Sequence, residues 1–159
     1  MKTKNALKQA ELILRLYDIR RETALRASRD YVGGEFLPGS VDEFVSLVKD
    51  GGKPSAHILQ VYGYWDMVAA FVVHGALDEA LIFDTCQEMY FQFEKIQPYL
   101  EGFRQKMNLP EFLKSMESVV TASQERRTRV ATKVKSPKAA KVRAEAAETP
   151  SEDSSSEGA

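Results

Sequence analysis

Ile82, Cys86, Met89, Phe93, Ile96, Leu100 and Phe103 alternate spacings of four and three residues across three heptads. An apolar seam with that period stays on one side only in a helix, because a strand repeats every two residues. It must also be covered, which calls for neighbouring helices in a bundle or coiled coil. Asp78 stands where an N-cap for this helix is needed. Pro98 interrupts the seam and predicts a kink or break near Ile96 and Gln97.

The rest of the chain reads as helical too. A first helix is predicted from about Asn5 to Tyr31, where Gly33 and Gly34 stop it. Its spacings from Asp18 to Arg21 and from Glu22 to Arg26 suit a solvated face. Ser40 followed by Glu43 is a capping box and opens a second, short helix that ends at Gly51 and Gly52. Pro54 suits the first turn of a third helix running to His74 and Gly75. That helix is apolar on more than one face (Ile58, Leu59, Val61, Tyr62, Trp65, Val68, Phe71), as befits a central one. Asn108, Pro110 and Glu111 begin a fifth helix, with Phe112, Leu113, Met116, Val119 and Val120 inward. With 43% apolar residues there is material for a core. The expectation is all-α: a compact bundle of about five helices over residues 3–122, followed by a disordered charged C-terminal tail, 123–159.

Net charge is only −1, yet it is a cancellation. Residues 1–125 hold 14 basic and 18 acidic side chains. Arg126, Arg127, Arg129, Lys133, Lys135, Lys138, Lys141 and Arg143 follow with no acid among them, and residues 144–159 hold five acids and no base. The basic block fits phosphate neutralisation, a salt-sensitive mode blind to base sequence. It lacks interleaved aromatics for base stacking. The longest apolar candidate for a span, Met67 to Val73, is far short of the ~20 residues a bilayer requires. No secretory leader is visible, so a cytoplasmic location without membrane association is expected.

Motifs for chemistry are scarce. His57 and His74 are 17 residues apart without a ligating partner at helical spacing, and Cys86 stands alone, so neither a metal nor a cofactor is expected. Residues 34–39 have Walker-like glycine spacing, but Ser40 and Val41 replace the required Lys and Ser or Thr. Cys86 lies on the apolar seam and reads as a buried hydrophobe. Asp66, between Trp65 and Met67, is the residue most in need of a partner. Arg20, Arg21 and His57 are the candidates, either as a structural ion pair or around a small-ligand pocket. Ten of the fifteen aromatic residues fall between Tyr62 and Phe103, including Phe83, Tyr90 and Phe91 beside the main seam. They serve either a multi-helix core or a partner face.

The segments Asn5-Ala6 through Leu14, Leu16-Tyr17-Asp18-Ile19-Arg20-Arg21-Glu22, Tyr64-Trp65-Asp66-Met67-Val68-Ala69, His74-Gly75-Ala76-Leu77 and Pro98-Tyr99-Leu100-Glu101 carry a resemblance. Over about residues 5–120 the chain resembles a family of small, uncharacterised all-helical bacterial proteins, of the domain-of-unknown-function type. The resemblance implies a helical domain and brings no activity with it. The function expected is a non-enzymatic protein-interaction or structural module, with an unknown protein or a second copy as partner. The alternatives are a nucleic-acid-associated protein using residues 126–143 and a ligand pocket around Asp66.

Overall fold

The computed structural model describes residues 2–122 and Thr128, with side chains from Asn5 onward. Seven helices and no strand are found among the described residues: α1 (Lys2–Arg21), α2 (Thr23–Gly34), α3 (Val41–Lys49), α4 (Gly52–Val73), α5 (Glu79–Thr85), α6 (Gln87–Met107) and α7 (Lys114–Thr121). The all-α expectation holds, and the count rises from five because two predicted helices are each divided. All eight basic residues from Arg126 to Arg143, and the charged tail expected over 123–159 apart from Thr128, lie outside the described residues.

The first division falls at Glu22, whose extended backbone (φ −58°, ψ 143°) separates α1 from α2. The second falls at Cys86 (φ −127°, ψ 46°), between α5 and α6. Neither residue is a glycine or a proline. Pro98, by contrast, sits inside α6 without ending it. Its ring is on the exposed side of the helix. The seam survives the break at Cys86: all seven of its residues are buried, none more than 4% exposed.

Local signals act as chemistry requires. Ser40 Oγ accepts from Glu43 N (3.1 Å), and the Glu43 carboxylate reaches back to Gly39 N (2.8 Å), one residue beyond the usual capping-box partner. Asp78 Oδ1 accepts from Leu81 N (3.1 Å) at the start of α5. Gly51 and Gly75, at φ 75° and 74°, take left-handed positions flanking α4. The fifth predicted helix starts late, at Lys114, because Asn108 closes α6 in the left-handed region (φ 54°) and Leu113 repeats that conformation (φ 57°).

α4 is the central element, packed against α2, α3 and α7, while α6 packs on α3, α5 and α7. Ile58, Val61, Tyr62, Trp65, Val68 and Ala69 of α4 are completely buried. Each large apolar side chain so placed contributes roughly 1.5–3 kcal/mol relative to exposure. Tyr62 ties α4 to α6 by donating to the Gln92 carbonyl (3.1 Å). The Phe44 ring of α3 stacks on Phe103 of α6 at 4.3 Å. Phe83 and Tyr90 are buried with them, and Phe91 is half-buried, so this aromatic concentration builds core. No helix of the described residues is long and apolar enough to cross a membrane.

Candidate functional site

Glu88, in the first turn of α6, gathers two guanidinium groups. Arg29 donates Nε to both carboxylate oxygens (2.9 and 3.1 Å), with Nη2 bonded to Oε2 as well. Arg20 Nη2 donates to Oε2 (2.9 Å). Arg20 and Arg29 are nine residues apart, which on one continuous helix would turn them to opposite sides, about 13 Å apart along the axis. The break at Glu22 brings both to one carboxylate, and Arg29 Nη1 staples it by donating to the Arg20 carbonyl (3.4 Å). Burial pushes the Glu88 carboxyl up, but hydrogen bonds and charge from Arg29 and Arg20 outweigh burial and hold it below the ordinary carboxylate range. The same hydrogen bond, donated by Arg29 to Glu88, raises the Arg29 pKa. The α6 N-terminus adds a favourable dipole for the anion.

The Arg20 guanidinium also lies over the rings of Trp65 (5.0 Å) and Tyr17 (5.5 Å). Tyr64 beside them donates to the Leu16 carbonyl (2.7 Å) and is pushed up, chiefly by burial. Arg20 Nε and Trp65 Nε1 are buried without a hydrogen-bond partner among the described residues.

The residues singled out from sequence are not brought to one place. Asp66 Oδ1 accepts from the Met116 backbone N–H (2.8 Å), so it caps α7 from another helix. Leu113, the N-cap residue of α7, offers no side-chain bond, and Asp66 supplies one in its stead. Among the described residues no ion pair joins Asp66 to Arg20, Arg21 or His57: Arg20 is committed to Glu88, and Arg21 is exposed. His57 stands elsewhere, with Nδ1 2.9 Å from Ser28 Oγ and its ring 5.2 Å from that of Tyr31. Ser28 Oγ also contacts Gln60 Oε1 (2.7 Å) and the Ala24 carbonyl (3.0 Å). A serine against a histidine suits nucleophilic catalysis, but Ser28 is wholly buried and no substrate carbonyl reaches it. The group locks α2 to α4.

Sequence reasoning missed Glu88, Arg29, Lys95 and Arg104. Glu88, Gln92 and Lys95 form a polar row at spacings of four and three beside the apolar seam, and that row was the available signal. Lys95 Nζ donates to the Val32 carbonyl (2.5 Å), so the row faces α2. Arg104, 4% exposed, bonds the Phe112 carbonyl (2.9 Å) and pairs with Glu117 (3.0 Å), fixing the turn before α7. Among the described residues no three metal-ligating side chains converge.

What stands open is the outer side of α1. Of its described side chains only Leu16 is buried, while Leu7 (63% exposed), Leu14 (65%) and Tyr17 (52%) project outward. With Ala10 they follow spacings of three, four and three, an apolar stripe of coiled-coil period. Two concavities border it. One of about 260 Å³ is lined by Ile13, Leu14, Tyr17, Arg20, Thr85 and Cys86; the other, about 430 Å³, by Asn5, Ala6, Gln9, Ala10, Asp78 and Leu81. They follow one flank of α1 against α5, where Gln9 accepts from Asp78 N (2.9 Å).

No curated protein and no solved structure matches the chain. One family model does, over residues 5–123, which take in every helix from α2 to α7 and nearly all of α1. The chain belongs to that family, a domain of unknown function designated DUF4760.

Proposed function

We propose that this chain is a non-enzymatic protein-interaction module whose working surface is the outer face of α1. The observation that carries the reading is the contrast between α1 and the other long helices. α4 and α6 seal their aromatics, whereas a 20-residue helix buries one described side chain and leaves Leu7, Leu14 and Tyr17 in solvent. Packing, rather than intrinsic propensity, supplies most helical stability in proteins. A contiguous apolar stripe at regular spacing is a recognition feature rather than scattered surface hydrophobicity. Tagged full-length chain carrying Leu14→Asp and Tyr17→Asp should lose the proteins that the unaltered chain co-purifies from its own cells. Equal recovery by both would contradict the reading.

The basic block supports a second reading, nucleic-acid association, because eight positive charges fall within residues 126–143 with no acid between them. Binding of duplex DNA by the full chain should then weaken steeply with salt, and replacing all eight by Gln should abolish it. Absence of binding at low salt would contradict this reading.

A further inference from the structure

We propose that two copies of this chain pair through α1, antiparallel, about a twofold axis passing beside Ile13. The inference rests on the reading of α1 as an interaction surface and names its partner. Next to the apolar stripe runs a strip of four exposed charges: Lys8, Glu11, Arg15 and Asp18. None of them forms an ion pair among the described residues. Glu11 and Arg15 stand two residues either side of Ile13, and Lys8 and Asp18 stand five either side, with opposite signs in both cases. The strip is therefore its own electrostatic complement when reversed. A twofold axis between antiparallel helices sets each flank against the same flank of the partner, so Glu11 faces Arg15 of the other copy and Lys8 faces its Asp18. In parallel pairing each flank faces the opposite flank of the partner, so the strip does not meet itself and this complementarity is lost.

The same axis orders the apolar stripe. The Leu14 side chains of the two copies fall one residue either side of it, about 3 Å apart along the helices, and meet at the centre. Leu7 comes level with the partner's position 19, next to its Tyr17, and Tyr17 comes level with position 9, where the small Ala6 and Ala10 leave room for the ring. Three layers result: Leu7 on Tyr17, Leu14 on Leu14, Tyr17 on Leu7. The concavity lined by Ile13, Leu14, Tyr17, Arg20, Thr85 and Cys86 borders this seam and admits the flank of the partner helix.

Light scattering on the full chain reads the mass directly. At submillimolar concentration it should give twice 17.9 kDa, and Leu14→Asp should return it to the single-chain mass with unchanged helix content, since Leu14 is exposed. Glu11→Lys alone should weaken the dimer roughly three- to tenfold, and adding Arg15→Glu should restore it. Orientation is read by mixing Leu7→Cys chains with Tyr17→Cys chains under air. Disulfide-linked dimers should form in the mixture and not within either variant alone. A single-chain mass for the unaltered protein, a dimer that survives Leu14→Asp, or linkage within one variant alone each overturns the proposal. A single-chain mass leaves the α1-dependent recovery of other proteins intact, so it separates failure of self-pairing from failure of the interaction reading.

Discussion

Glu88 and Asp66 are acidic residues of similar sequence appearance with different duties. Glu88 neutralises two cations that fasten the break between α1 and α2 to α6. Glu88→Gln leaves those guanidinium groups without their counter-charge and should destabilise the fold by about 2 kcal/mol, read by urea unfolding. Its carboxyl is held below the ordinary range, so its stabilisation is present above the unfolded-state pKa and is lost as pH falls from there through the lowered folded-state pKa. The melting temperature should therefore drop across that interval, and less steeply in Glu88→Gln. Part of the drop should persist, because Glu117, also held low against its burial by Lys114 and Arg104, titrates the same way. Asp66→Ala removes the bond to Met116 N and should cost about 1 kcal/mol, as loss of a helix cap does. That Asp66 needed a partner was legible in the sequence. Which partner was not, because the donor is a backbone N–H 50 residues away, and any amino acid at position 116 except proline would provide it.

At the scale of elements, the seam from Ile82 to Phe103, the Ser40 and Asp78 caps and the turns at Gly51 and Gly75 are local signals that the structure uses. Gly33 and Gly34, read as a stop, lie inside α2 instead. The breaks at Glu22 and Cys86 carry no such signal. Glu22 gives no side-chain cap to α2, and only the convergence of Arg20 and Arg29 on Glu88, fixed by tertiary packing, accounts for the turn there. Pro98 is the converse, a strong local breaker tolerated because its ring is outside the core. Close approach of α3 to α6 is invisible in either segment alone. A Cβ at Gly102 would stand 2.8 Å from Val41 Cγ2, so Gly102→Leu should destabilise the protein by about 1–3 kcal/mol in chemical denaturation, against the gain in helix propensity.

For the whole molecule, the division of labour follows from which helices are covered. α4 and α6 take the aromatic residues inward, so the exposed apolar stripe lies instead on α1, where Tyr17 is the one strongly exposed aromatic ring among the described residues. The stripe of Leu7, Ala10, Leu14 and Tyr17 was present in the sequence from the start. It was not separable from the core-facing residues of the same helix, because Leu12, Ile13 and Leu16 interleave with it and make α1 apolar on two sides. Only the position of the neighbouring helices decides which side is left open. Residue-resolved amide hydrogen exchange of the full chain, measured over a dilution series, asks most directly whether that side is covered in solution. Protection in α1 should rise with chain concentration while α4 and α6 stay constant. Protection in α1 that does not change with concentration would contradict pairing through this face.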